Sequence, residues 1–170
     1  MSKPIVIGFD PGLHLTGYGV LSAGTRKARL IEAGVFRIPR ALPLADRLKQ
    51  LYASACELLA EHDPRSVAVE EIFSHYERPK TAILMGHARG VLLLAAANQG
   101  VPVAHYLPTR VKRFLTGNGH ASKEQIQQAI QLEFGLKEKS GPPDVADAVA
   151  IALCHWNMMR VESAETRPAS

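Results

Sequence analysis

A short β-branched apolar run, Pro4 to Phe9, stops at Asp10-Pro11-Gly12. A run of this kind closed by a turn signal reads as a buried strand, and such a strand has to be covered on its faces by other elements. Thr16 to Ser22 and Ala28 to Ile38 are the next strand candidates, with Ala23-Gly24 as a hairpin turn between them. After the Pro39–Pro43 breaker, Leu44, Leu48, Leu51, Ala55, Leu58 and Leu59 recur at helical spacing up to His62, and Asp63-Pro64 ends the helix. Ser66 to Ile72 is strand-like, Pro79 to Gln99 helical, and Pro102 to Tyr106 a further strand. Pro108 to Leu115 reads as a short helix. Ser122 to Phe134 reads as a longer one, opened by a capping box of Ser122 with Gln125. A last helix runs from near Asp144 to about Val161. The order predicts one α/β domain over residues 1–161, a mixed sheet with helices on its faces, and a disordered tail over 162–170.

Composition narrows the class. With 46% apolar and 21% charged residues among 170, neither disorder nor a disulfide scaffold is expected. Cys56 and Cys154 lie far apart without metal spacing, which suits two buried thiols in a reducing compartment. The opening MSKPIVIGFD has no signal-peptide pattern, and the longest apolar run, Val91 to Ala97, is shorter than the roughly 20 residues a membrane span needs. A cytoplasmic protein with no membrane partner is expected. The net charge of +4 is compatible with a nucleic-acid partner but does not demand one.

Several carboxylates need a reason. Asp10 ends the first strand, where α/β folds gather their sites, although Asp-Pro-Gly is also ordinary turn chemistry. Glu70 and Glu71 close another apolar strand; alternation sends them to opposite faces, and parity does not choose between them. Asp144 and Asp147 share a face at the start of an otherwise apolar helix. The helix dipole explains Asp144 well as an N-cap and Asp147 less well, because the effect fades after the first turn. If the first and fourth strands are adjacent and parallel, Asp10 meets Glu70, and a helix across their ends adds Asp144 and Asp147. Carboxylates gathered this way repel and require cations. Oxygen-only donors suit Mg²⁺ or Mn²⁺, and two such ions suit phosphodiester hydrolysis.

The chain resembles the RuvC family of Holliday junction resolvases. The matching segments are IGFDPGLHLTGYGV at Ile7 to Val20, VAVEEIF at Val67 to Phe73 and GHARGVLLLAAANQG at Gly86 to Gly100. Lys112 to Lys123 and DVADAVAIALCHW at Asp144 to Trp156 continue the series, in family order. The resemblance places the family's four acidic positions on Asp10, Glu70, Asp144 and Asp147, and it chooses Glu70 over Glu71. It implies an RNase H-like fold with a mixed five-stranded sheet and a divalent-metal nuclease with Mg²⁺ or Mn²⁺, two ions per site. It also implies a homodimer acting on a four-way DNA junction, with RuvA and RuvB as partners.

Lys112 and Lys123 match basic positions near the family's site, with Arg110 and Arg113 adding local charge suited to phosphates. Phe73 matches an aromatic that contacts bases, although a Phe after a strand is also common in cores. His14, His75, His87, His105 and His120 show no ligand spacing. The helix after Pro79 carries Ala82, Gly86 and Gly90 on one stripe within a surface apolar nearly all round, which suits burial by the sheet on one side and a partner on the other. An actin/Hsp70-like kinase also places D-x-G after a first strand, but it needs two such domains. A YqgF-like nuclease acting on RNA shares the fold and the first acidic motif; the Asp144/Asp147 pair favours the junction resolvase.

Overall fold

A computed structural model describes residues 4–24, 26–72, 78–138 and 141–165. Among the described residues five strands form one sheet: β1 (Ile5–Asp10), β2 (Leu15–Ala23), β3 (Ala28–Arg37), β4 (Ser66–Glu70) and β5 (Val103–Tyr106). Their order across the sheet is β3-β2-β1-β4-β5. The β1–β2 and β2–β3 pairs are antiparallel, while β1–β4 and β4–β5 are parallel. The sheet is therefore mixed, as expected.

The helices are α1 (Leu44–His62), α2 (Pro79–Asn98), α3 (Pro108–Thr116), α4 (Lys123–Phe134) and α5 (Pro143–Glu165). They cover both faces, as the apolar run Ile5 to Phe9 of β1 requires. On one face Ile7, Phe9, Val67 and Val69 pack with Leu51, Leu58 and Leu59 of α1 and Leu92 of α2. On the other, Leu21 and Ala68 pack beneath α5, which α3 and α4 flank. Each large aliphatic side chain fully buried this way contributes about 1.5–3 kcal/mol. This is the RNase H-like arrangement.

Most boundaries fall within two residues of the sequence expectation, and the departures have local causes. The β2–β3 connection is longer than an Ala23-Gly24 turn, since pairing resumes only at Ala28. The β4 strand stops at Glu70 rather than Ile72, with one further bond from Glu71 N–H to the Tyr106 carbonyl (2.8 Å). Asp144 does not cap α5, because the helix already begins at Pro143 and Asp144 lies in its first turn. The same helix continues through Glu165, so residues 162–165 are not part of a tail. Its last turns rest on the β2–β3 hairpin: Trp156 Nε1 donates to the Gly24 carbonyl (3.0 Å), and Arg160 both stacks on Trp156 and donates to the Arg26 carbonyl (3.3 Å).

The expectation about membranes rested on uninterrupted apolar runs. As a helix, α2 is 20 residues long and holds an 18-residue stretch with a mean hydropathy of 1.2, long and apolar enough to cross a bilayer by length and composition alone. It packs against α1 and β5, and Ala88, Leu92, Ala95 and Ala96 are buried there.

Candidate active site

The β1–β4 register pairs Phe9 with Val69, so the next residues along these parallel strands, Asp10 and Glu70, leave the sheet side by side. Asp10 is buried, with 9% of its surface exposed. The turn after it is closed by Thr16, whose hydroxyl donates to the Gly12 carbonyl (2.6 Å) and lies 3.3 Å from the Gly12 N–H.

The third side of the site comes from α5. That helix presses directly on β1 and β2 because glycines face it. A Cβ on Gly8 would lie 2.6 Å from the Ala152 nitrogen, and one on Gly17 would overlap the backbone oxygen of Asp144. The close approach brings the start of α5 over the ends of β1 and β4. From Val145 to Trp156 every residue is buried except Asp147, which opens toward the carboxylates. A helix dipole contributes about 0.3–1 kcal/mol to an acid in the first turn, which includes Asp144 and excludes Asp147. Burial of an unpaired carboxylate costs more than that, so Asp147 needs another reason.

Asp10, Glu70, Asp144 and Asp147 line one cavity of about 360 Å³, together with Lys112 of α3 and Lys123 of α4. Burial pushes the Asp10 carboxyl well above the ordinary range, and the charges of Glu70, Asp147 and Asp144 push it further. Burial likewise raises Glu70, to about 7; the hydrogen bond with Asp10 works against the rise, as do Lys112 and Lys123. Asp147 is raised by burial and by Asp144, against the pull of Lys123 and Lys112. The two lysines thus offset only part of the negative charge. Hard oxygen donors that resist ionising together without a counter-charge are the donor set that Mg²⁺ or Mn²⁺ fits.

The other sequence candidates fall elsewhere. Phe73 and His75 lie outside the described residues. Arg110 sits over the Tyr106 ring, 5.6 Å from its centroid, and Arg113 lies beside Gly119; neither lines the carboxylate cavity. Glu71 does not line it either.

Sequence reasoning missed three features. Arg89 of α2 donates through Nε to the main-chain oxygen of Glu70 (3.1 Å) and holds His105 Nδ1 at 2.8 Å, clamping the end of β4. Beneath α5, His155 bridges Ser66 (2.8 Å) and Tyr106 (2.9 Å), and burial holds it neutral with a pKa lowered to about 4. These partners are too far apart in sequence for any pattern to join them. The third feature is Glu32, Glu61 and His62, whose donor atoms lie within 4.8 Å of one another. None of the three lines the carboxylate cavity, and Glu32 is already engaged by Tyr18 (2.8 Å) and His62 (3.0 Å).

Known proteins are similar to this chain in sequence and in fold. The family model described as crossover junction endodeoxyribonuclease RuvC matches residues 6–155. The crossover junction endodeoxyribonuclease RuvC of Rhodopirellula baltica is 51% identical over 153 residues, covering 90% of this chain and 86% of that protein. The one from Moorella thermoacetica is 44% identical, covering 89% and 90%. The solved structure of Thermus thermophilus RuvC in complex with Holliday junction substrate superposes with a TM-score of 0.85 at 38% identity, over 94% of this chain and 97% of that one.

Proposed function

The chain belongs to the RuvC family of crossover junction endodeoxyribonucleases, and we propose that it resolves four-way DNA junctions by nicking opposing strands through the cavity at the ends of β1 and β4. It is a nuclease of the hydrolase class. The observation that carries the assignment of the site is the meeting of Asp10, Glu70, Asp144 and Asp147 in one cavity flanked by Lys112 and Lys123.

In this reading the four carboxylates hold Mg²⁺ or Mn²⁺, two ions per site. Bound there, the cations supply activation of the attacking water and stabilisation of the leaving oxygen. The protein supplies the placement. Burial and mutual repulsion keep the acids short of counter-charge, and Gly17 fixes the height of Asp144 over Asp10. Lys112 and Lys123 hold the phosphodiester over the acids. Arg110 and Arg113, outside the cavity, contact the backbone further along, and Phe73 stacks on a base at the junction centre.

A junction has two-fold symmetry, and resolution needs two nicks. A homodimer places two such cavities in one complex. Its contact surface is α2, where Ile83 (61%), Leu84 (39%) and Leu94 (52%) are exposed and the space beside Gly86 and Gly90 is open. An apolar surface of that kind on a structured helix suits a partner. RuvA and RuvB complete the machinery, and the cytoplasm is its setting.

The test is incubation with a synthetic four-way junction, a linear duplex and structured RNA, each with and without Mg²⁺. Paired, Mg²⁺-dependent nicks confined to the junction are expected. Cleavage of structured RNA in preference to the junction would move the chain to the YqgF-like reading instead.

A further inference from the structure

A second cavity adjoins the carboxylate one. About 470 Å³ in volume, it lies where the β1–β2 turn, the start of α1 and the first turns of α2 meet the start of α5. Gly12, Met85 and Asp144 line both cavities, so the two are contiguous, with Asp144 on the boundary. The far side carries the opposite charge. His14, Arg40, Arg47 and Thr81 line it. His14 is held by its Nδ1, 2.9 Å from the Ile38 carbonyl; a carbonyl only accepts, so Nδ1 carries the proton.

Arg47 is the unusual residue of the set. Its Nε is buried and meets no hydrogen-bond partner among the described residues. Buried polar atoms without partners are rare and call for an explanation. No carboxylate forms an ion pair with Arg47 or Arg40 among the described residues. A guanidinium presents paired donors in a fork that matches the oxygens of a phosphate. Here a guanidinium with an unmet donor lines a cavity of about 470 Å³ that Asp144 lines as well.

On the premise that the chain is a junction nuclease, we propose that the cavity formed by His14, Arg40, Arg47 and Thr81 is a phosphate-binding subsite. It holds the cleaved strand on the side of the acids opposite Lys112 and Lys123. The charge along the groove then runs positive, negative, positive. The lysines and the arginines grip phosphates on either side of the one being cut, and the substrate cannot slide along the acids in either direction. Sequence spacing gave no hint of this, because Arg40 and Arg47 lie in a loop and a helix start remote from every acidic motif.

The experiment compares wild type with Arg40→Gln, Arg47→Gln and Arg47→Lys, with circular dichroism confirming the fold of each. Junction binding is measured without divalent cations across a salt series, using intact junctions and junctions with a neutral methylphosphonate near the scissile position. Each Gln variant should flatten the slope of log affinity against log salt by about 1. Arg47→Lys should keep the slope while losing affinity. For wild type, one methylphosphonate position should reproduce the loss, and the same substitution should cost the Gln variants nothing more. Arg40 is exposed, so its variant tests the idea even where Arg47→Gln fails to fold. Folded Gln variants with the wild-type slope, or losses that add to every methylphosphonate position, would overturn the subsite alone. Wild-type protein that neither binds nor cuts the junction would overturn the nuclease reading and the subsite with it.

Discussion

Gly17 of β2 lies against the main-chain oxygen of Asp144 so closely that no side-chain carbon fits between them. The height of the acidic helix start above the sheet is therefore set by a residue with no functional group. Gly17→Ala must push α5 outward, at a cost of about 1–3 kcal/mol. Thermal unfolding should show a melting point lower by roughly 5 °C, and junction cleavage should fall more than the lost stability explains. Equal melting points and rates would mean that α5 can yield there without moving Asp144.

Removing single charges from the acids should separate chemistry from binding. Asp10→Asn, Glu70→Gln and Asp147→Asn each keep side-chain shape while removing the negative charge with which the acid would hold a cation. Cleavage should fall by orders of magnitude, with junction binding retained in gel-shift titrations. Glu71→Gln should change the rate only mildly, since Glu71 does not line the cavity. An Asp10→Asn protein that cuts near the wild-type rate would rule out the assignment.

The raised carboxylates predict how the metal and pH interact. Glu70 titrates at about 7 instead of 4.5. Its folded pKa is raised, so its stabilising effect is full below about 4.5 and is lost as pH rises through about 7. Asp10 is shifted in the same direction. A divalent cation binds the ionised forms and reverses the loss. His155 acts the other way: its pKa is lowered to about 4, so its contribution is present above about 6.5 and is lost as pH falls toward 4. That term is common to samples with and without metal. The rise in melting point on adding Mg²⁺ should be several degrees at pH 8 and close to zero at pH 5.5. An equal rise at both values would place the metal elsewhere.

The proposed dimer contact can be tested without endangering the fold, because a Cβ on Gly86 meets nothing within 4 Å. Gly86→Glu should leave the circular dichroism spectrum unchanged. Sedimentation should show the mass halved, and paired nicking should give way to single nicks. A folded variant that stays dimeric and cuts in pairs would move the interface off α2.

Much of this was legible in the sequence because it depends on local rules. The apolar run before Asp10, the Ser122–Gln125 capping box and the α1 stripe at Leu51, Ala55 and Leu58 each follow from neighbours a few residues apart. The choice between Glu70 and Glu71 was not legible from parity, since apolar residues flank both; in the fold β4 simply ends at Glu70. The resemblance supplied that choice in advance. The reach of α5 was underestimated because its last turns are held by Gly24 and Arg26, more than 130 positions earlier. The Arg47 cavity and the Ser66–His155–Tyr106 bridge were missed for the same reason. Their partners meet only once the sheet has closed.

The order in which the acids occur along the chain has a consequence for how the protein is made. Asp10 and Glu70, on β1 and β4, leave the ribosome before Asp144 and Asp147, which follow on α5. Until α5 docks, the sheet face beneath it lacks its cover, and half of the acidic constellation does not exist. On the proposed assignment of the site, a polypeptide interrupted anywhere before Asp144 carries an incomplete set of acids. On that assignment the order of the acids along the chain acts as an interlock: a fragment that stops short of α5 lacks half of the groups the proposed reaction needs.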